Sequence, residues 1–445
     1  METEYYFVSD LHLGGDAGLG ACDFTEELME FLQRLESYAR ESDHPVELLL
    51  VGDTFGLWEL TGVSGAAMID RIAFEHPRIF EQFRRTGTQL RITVTAGNHD
   101  HDLACYPEFR DKLAEYNMCL DQNYAITRRC GDRTIWIEHG NQHDSFNCFQ
   151  PWQDPHAQPV GYFITRKLVR AAAERSTLGR RDWLVDMEAV NPSENVPNWL
   201  LSNYFYREMH PLLRYIALPF LLFTGISLFI FLGTLLETLS LVPTTVFRDE
   251  WLYRTPLVGQ PIRYFVALNL GVLLVVILAA IPAWILVRDF RRTLERYELR
   301  FTSRKRQQKD ARYLAAAREV FDRHPDVIAF VYGHTHNPSL TLIDGRAVIN
   351  TGTWLKRLTR IRSKWTLVPD VYYPSFRIGY FRVFAEGNQV VMQRHAIPKQ
   401  VPPELTALQR ILTWRKRALD TVRIPDCTLL PALQRPTAPE STPTR

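Results

Sequence analysis

The sequence predicts an α/β protein whose sheet-forming halves are separated by a pair of long apolar helices. Three observations predict it. Over roughly the first 140 residues, apolar strand-like runs ending in polar, glycine-containing turns alternate with helical patterns. Runs of the same kind resume at Asp326. Between them, Tyr215 to Leu236 and Tyr264 to Val287 carry no charged residue. Such alternation implies a sheet covered by helices, with loops at strand ends carrying the chemistry.

The first strands read as "EYYFVS", "VELLLVG" and "LRITVTAG", and "TIWIEHG" is a further strand and turn. "FTEELMEFLQRLESYAR" places Phe24, Leu28, Phe31, Leu32 and Leu35 at helical spacing. From Pro151 to Arg214 the chain turns helical and basic, and "GYFITRKLVRAAAERSTLGRR" has the mix of a lid or of an amphipathic helix resting on a bilayer. After Val287 comes a long charged helical pattern, then strands at "DVIAFVYG", "AVINTG", "RIGYFRVFAEG" and "QVVMQRHAI". Pro402 and Pro403 open a last amphipathic pattern running to about Val422, and "LQRPTAPESTPTR" has a disordered composition. This gives segments at 1–150, 151–214, 215–287, 288–325, 326–400 and 401–445. The outer two sheet-forming pieces make one domain, and a basic helical insertion, a hairpin and a basic connecting helix lie between them.

The 445 residues carry a formal net charge of +2, which points to no nucleic-acid partner. Six scattered cysteines with no C-x-x-C pair suit a reducing compartment and argue against a disulfide framework or a structural zinc site. "METEYYFVSD" enters a strand directly, without a basic and apolar leader. Oligomeric state is not legible.

Each uncharged stretch is about the length needed to cross a bilayer core of roughly 30 Å. Pro219 and Pro282 do not oppose this, because proline is tolerated in membrane helices. The connection from Pro243 to Arg263 carries Arg248, Arg254 and Arg263. The flanks carry more: Arg207 and Arg214 before, and Arg288, Arg291, Arg292, Arg296, Arg300, Arg304, Lys305 and Arg306 after. The positive-inside rule then puts the flanking domain in the cytoplasm. Trp251, Tyr253 and Trp284 are candidate interfacial anchors. The basic flanks serve as topology signal or attract anionic and phosphorylated lipid, at about 1 kcal/mol per residue near the surface.

Five strand ends deliver oxygen or imidazole donors beside a glycine. "SDLHLGG" offers Asp10 and His12, two apart, so an extended chain would aim both the same way. "VGDTFGLWE" offers Asp53, "AGNHDHD" offers Asn98, His99 and Asp100, "EHGNQHD" offers His139, and "GHTH" offers His334 and His336. His143 is a weaker competitor of His139, which directly follows its strand. This mixed set suits two Mn²⁺, Fe or Zn²⁺ ions better than Ca²⁺ or a lone structural zinc. Two such ions activate a water and hold the attacking and leaving oxygens of a phosphoryl transfer. Asp53, central in the series, is the candidate bridge.

The order D-x-H, G-D, G-N-H-D, H, G-H-x-H resembles the calcineurin-like metallophosphoesterase family, over about residues 4–150 and 326–396. "VINTGTW" (Val348 to Trp354) is similar to that family's segment after the last histidines. The resemblance implies a four-layer α/β/β/α sandwich, here interrupted by the two-helix transmembrane hairpin. It implies that Asp10, His12, Asp53 and His336 hold one divalent metal ion, and Asp53, Asn98, His139 and His334 the other. Manganese comes first, with iron or zinc as alternatives. It further implies that His99 stabilises the phosphoryl transition state or assists the leaving group, with Asp100 orienting it.

Within the family, "SDLHLG" and "GDTFGLWE" look most like the branch containing UDP-2,3-diacylglucosamine diphosphatase, which cleaves a lipid-linked diphosphate at a membrane surface. Two departures stand out. Gly56 occupies a position where that branch often has an acidic residue, and the segment between His139 and His334 is far longer. The function expected is two-metal hydrolysis of a phosphoester or diphosphate at the cytoplasmic membrane surface, in a lipid-linked substrate, with membrane lipids as partners. The rivals are a tethered nucleotide or cyclic-nucleotide phosphodiesterase and a non-catalytic scaffold on the same fold.

Overall fold

The structure is a computed structural model of the whole chain. It describes residues 2–14, 22–60, 62–163, 189–190, 195–244, 247, 257, 259–296, 305–363, 368–399, 405–413 and 424–431. These divide into two compact units. The first holds Met1–Leu200, Arg304–Arg362 and Asp370–Arg445, and the second Leu201–Ser303 and Ser363–Pro369.

In the first unit the strands are β1 (Glu4–Val8), β2 (Leu13–Gly14), β3 (Val46–Val51), β4 (Phe55–Gly56), β5 (Arg91–Thr95), β6 (Met118–Asp121), β7 (Ala125–Cys130) and β8 (Arg133–Glu138). After the long insertion come β9 (Val327–Tyr332), β10 (Ser339–Ile343), β11 (Arg346–Asn350), β12 (Arg357–Ile361), β13 (Val371–Ser375), β14 (Gly379–Glu386), β15 (Gln389–Ala396) and β16 (Cys427–Pro431). One sheet has seven strands in the order β16-β15-β14-β1-β3-β5-β6, and the other has five, in the order β10-β11-β9-β8-β7. β1, β3, β5 and β6 run parallel in the first sheet, as do β8, β9 and β11 in the second.

Side-chain alternation makes four layers. From β1, Tyr5 and Phe7 face one way and join Leu49, Val51, Ile135, Ile137, Ile328, Val331 and Ile349 between the two sheets. Tyr6 and Val8 face the other way, with Leu48, Leu50, Ile92 and Val94, and are covered by helices Thr25–Glu41 and Pro77–Thr86. The outer face of the second sheet is covered by helix Lys305–Arg323, which buries Tyr313, Ala316, Ala317 and Phe321 against Phe330 and Val348. That helix begins inside the segment expected as a basic connector. Its apolar residues lie on one face despite the surrounding charge, and they complete the sandwich.

Most expected strands form as read. β16 was not anticipated: the short run "CTLLP" pairs antiparallel with β15 and closes that edge of the seven-stranded sheet. The last amphipathic pattern forms a helix over Ala407–Leu412 with a capping box at Thr406 and Gln409. The rest of that pattern, most of the "GYFITRKLVRAAAERSTLGRR" stretch, Trp251 and Tyr253, and the "LQRPTAPESTPTR" tail lie outside the described residues.

The second unit is dominated by two helices, Pro211–Thr238 and Gly259–Arg296. They touch through the Phe223 and Phe265 rings and through Thr224, whose hydroxyl donates to the Asn269 side-chain oxygen at 2.9 Å. Phe229 is 67% exposed and Val275 65%, and Leu274, Leu278 and Ile285 are exposed as well. Trp284 is also exposed, with the Arg288 guanidinium over its ring. Counted over the described residues alone, no helix is long and apolar enough to cross a membrane. The side chains of 211–222 and of several residues in the second helix are outside that count.

Candidate metal centre

All five donor loops leave the carboxyl ends of parallel strands, β1, β3 and β5 of one sheet and β8 and β9 of the other. That is where open α/β sheets place their ligands. The loops do not continue as extended chain. Asp10, His12, Asp53, His334 and His336 all have left-handed φ, between 47° and 63°. The extended geometry expected for Asp10 and His12 is therefore replaced by a turn. Non-glycine residues persist in that region, at about 1–3 kcal/mol each, only where neighbours hold them there.

Here the neighbours are the other loops. The Asp10 amide donates to the Gly52 carbonyl at 3.2 Å, and the His12 amide to that of Asp53 at 2.9 Å. The Thr353 hydroxyl donates to the Asp10 carbonyl at 2.7 Å, and the His334 amide to the Asp10 carboxylate at 3.1 Å. Asn350 donates to Gly333 O and Thr335 Oγ1, bracing the "GHTH" turn. Two glycines are demanded by close approach. Gly52 has φ +73°, and a Cβ there would sit 2.4 Å from the His139 ring. A Cβ on Gly333 would meet Asp10 Oδ2 and Ser9 Oγ at 2.5 Å.

Among the described residues, three side-chain groups could hold a cation. They are Asp10, His12, Asp53 and His336; Asp53, His139 and His334; and His12, Glu59 and His99. In the first, His336 Nε2 lies 3.1 Å from Asp10 Oδ1 and 3.2 Å from His12 Nε2. In the second, His139 Nε2 lies 3.1 Å from Asp53 Oδ2 and 3.2 Å from Asn98 Oδ1. Asp53 Oδ2 faces both groups, since His12 Nε2 is 3.7 Å from it, while Oδ1 accepts the His99 amide at 2.7 Å. This is the geometry of a bridging carboxylate. His139 Nδ1 donates to the Val51 carbonyl at 3.0 Å, which turns Nε2 inward.

Burial opposes charge on Asp53, but the imidazoles of His139, His99 and His12 hold its carboxyl well below the usual range. Burial, with His99 nearby, lowers His12 to about 4, so it stands neutral and ready to ligate. Burial also lowers His334. His139 goes the other way: against its burial, the Asp53 carboxylate raises it to about 9.

The structure thus brings together Asp10, His12, Asp53, Asn98, His139, His334 and His336, and keeps His143 apart, bonded to Glu138 at 2.6 Å. Asp100 is buried but does not orient His99. Its carboxylate accepts the amides of Asp53, Phe55 and Gly97 at 3.2, 3.1 and 2.6 Å, tying the second and third loops together. The carboxylate against the His99 ring belongs to Glu59, 2.5 Å from Nδ1. Sequence reading also missed Asp144, whose Oδ2 lies 3.2 Å from His334 Nε2. Both sit within the quoted blocks, but neither has a spacing that marks it. Beside His99 the Trp58 ring lies at 4.5 Å, followed by Tyr162 and the half-exposed Phe163.

Two buried carboxylates ringed by imidazole nitrogens, without a thiolate, fit a pair of divalent cations of borderline softness. Fold and site together define a metal-dependent hydrolase with a binuclear centre. The calcineurin-like phosphoesterase family model matches residues 4–204, a little under half of the chain. That match contains every candidate ligand except His334 and His336, which follow β9 beyond it.

No curated protein matches the chain. Among solved structures it is similar to wild-type Vps29 complexed with zinc from Entamoeba histolytica, at 10% identity, covering 88% of this chain and 92% of that one, TM-score 0.25. It is similar to a predicted phosphoesterase from Streptococcus pneumoniae, at 11% identity, covering 91% and 95%, TM-score 0.26. It is also similar to the phosphopantetheinyl hydrolase of Mycobacterium tuberculosis, at 11% identity, covering 79% and 90%, TM-score 0.22.

Proposed function

We propose that this hydrolase cleaves a phosphoester or diphosphate bond in a lipid-linked substrate at the cytoplasmic face of a membrane. Helices Pro211–Thr238 and Gly259–Arg296 would serve as a transmembrane hairpin. The observation that carries the reading is that pair of helices. Their central stretches are uncharged, and Phe229, Leu274, Val275 and Leu278 point into the surroundings rather than into a core. Water opposes such exposure by about 1.5–3 kcal/mol per large apolar side chain, whereas a lipid phase does not. The chain enters the pair after His139 and leaves it before His334. Both ends must then lie on one side of the bilayer, and the arginine-rich flanks make that side cytoplasmic.

When bound, two divalent cations, manganese foremost, supply Lewis acidity and lower the pKa of a water to about 7. Asp53, whose Oδ2 faces both groups, would be shared between the two cations. Asp10, His12 and His336 form one half of the cradle, and Asn98, His139 and His334 the other. His99, whose ring packs against that of His12, assists departure of the leaving oxygen or stabilises the phosphoryl charge. General acid help of that kind contributes about 10²–10⁴ in rate. The aromatic line from Trp58 through Tyr162 to Phe163 gives an apolar leaving group a surface next to His99.

The test compares a diacylated sugar diphosphate in mixed micelles with its deacylated head group. The acylated substrate is expected to show the higher kcat/KM. Preference for the head group or for soluble nucleotides would replace this reading with the tethered phosphodiesterase. Topology is checked in a cysteine-free background. Pro256→Cys should react with an impermeant reagent from outside intact cells and Thr437→Cys should not; the reverse pattern overturns the cytoplasmic assignment.

A further inference from the structure

The His99 ring is not held by the loop that carries it. Asp100, its neighbour in sequence, is committed to three backbone amides. The carboxylate at Nδ1 comes from Glu59, six residues past the bridging Asp53. Glu59 is 8% exposed, and its Oε2 is buried without a hydrogen-bond partner. An ionisable side chain is rarely buried half-satisfied, because each unmet polar atom costs about 1–3 kcal/mol. The backbone makes room for it at Gly56. A Cβ on Gly56 would fall 2.8 Å from Glu59 Oε2 and 3.4 Å from its carboxyl carbon. The next nearest atom there is the His12 carbonyl oxygen, at 3.6 Å.

We propose that Glu59 is the positioning residue for His99, and that position 56 is a glycine because the Glu59 carboxylate fills the volume a side chain there would occupy. The proposal rests on the hydrolytic role of His99 given above. With Nδ1 against Glu59, the ring has one rotation, and Nε2 lies on the side away from that carboxylate. The Trp58 ring at 4.5 Å and the His12 ring at 4.6 Å limit its tilt. Glu59 does not touch the substrate in this arrangement. It acts by keeping a neighbouring ring aimed, as a supporting carboxylate does for a metal-bound histidine.

The geometry makes an unusual swap possible. With residue 59 cut to alanine, an aspartate at 56 has space for its Cβ, and its carboxyl, one carbon further, reaches the volume that the Glu59 carboxylate leaves. Gly56 is not in a left-handed conformation, so the backbone accepts a side chain there. The experiment compares wild type, Glu59→Ala, Gly56→Asp and the Gly56→Asp/Glu59→Ala double variant on an aryl phosphodiester, with manganese content measured for each.

Glu59→Ala should lower kcat about 10–100-fold, with KM and metal content close to wild type. The double variant should recover most of that loss, and Gly56→Asp alone should be worse than either, since the two carboxylates collide. The proposal is overturned if Glu59→Ala keeps its kcat, or if it loses metal in step with activity and the double variant restores neither. A second readout does not depend on turnover. In high-resolution structures the His99 ring should hold one rotation in wild type and the double variant, and more than one in Glu59→Ala. If wild type cleaves no phosphoester, the hydrolytic reading fails, while these structures still decide whether Glu59 positions the ring.

Discussion

The two halves of the metal centre share Asp53 and differ in nearly everything else. The half built from Asp10, His12 and His336 is the more open, with the His336 side chain 28% exposed and its ring bonded, among the described residues, to other members of the site. The half built from Asn98, His139 and His334 is enclosed. The His139 side chain is fully buried, and its outer nitrogen is fixed by the Val51 carbonyl. His334 is backed by the Asp144 carboxylate. Outer partners of this kind fix ring orientation and raise ligand basicity. The enclosed half is therefore expected to hold its cation more tightly, and the open half to exchange its cation and admit substrate oxygens. On this expectation one carboxylate would join a tightly held cation to a labile one.

The largest expected effect comes from breaking the shared element. Asp53→Asn removes the charge from the one oxygen that faces both halves, so turnover should be abolished and both cations should bind poorly. Metal analysis of the purified variant checks this; a variant that keeps two equivalents would show that Asp53 is not the bridge. The halves are then separated by His336→Ala and His139→Ala. Chelation of the manganese-loaded wild type should proceed in two steps. His336→Ala should lose the first, easily removed equivalent and keep the second. His139→Ala should weaken the second. If the two variants give the same chelation profile, the asymmetry between the halves is not real.

This asymmetry was only partly legible in the sequence. The seven candidate ligands were readable because each lies in a glycine-containing loop at the carboxyl end of a strand whose apolar run is visible. The supporting shell was not readable, because Glu59 and Asp144 lie in turns where a carboxylate is the ordinary solvated residue. Nothing local distinguishes a carboxylate that turns inward toward a distant histidine. The reverse error occurred at Asp100. The family resemblance paired it with His99, but its carboxylate is consumed by amides from two loops, a demand visible only once the loops are folded together. The same distinction holds for the fold. β1, β3, β5 and β9 announce themselves as continuous apolar runs. The face of helix Lys305–Arg323 is hidden among charges, and the edge strand β16 in a five-residue run that ends in a proline.

A smaller effect probes the enclosed half from outside. Asp144→Ala removes the carboxylate behind His334 while leaving every proposed ligand in place. Affinity for the second cation should fall about 10–100-fold, and the first, labile equivalent should be unchanged. Competition against a chromophoric chelator resolves the two. Equal weakening of both equivalents would mean that Asp144 supports the loops as a whole and not His334.

The smallest effect is a proton. In the metal-free chain burial disfavours the charged form of His139, but the Asp53 carboxylate prevails and raises its pKa to about 9. At pH 7.5 the ring then carries a proton on the nitrogen that must face the cation. Metal ligands bind deprotonated, so loading the enclosed half should expel that proton. The sign follows: below pH 9, apparent affinity rises with pH by about tenfold per unit from this residue alone, and above it the dependence flattens. His12, lowered to about 4, has no proton to lose in this range, so the open half should show no such term from that ligand. Calorimetric titration at pH 7.5 in buffers of different ionisation enthalpy measures the release directly. His139→Ala should reduce it by about one proton per chain, whereas Asp144→Ala should leave that proton in place. Release that is unchanged in His139→Ala would assign the proton to another group and remove this difference between the halves.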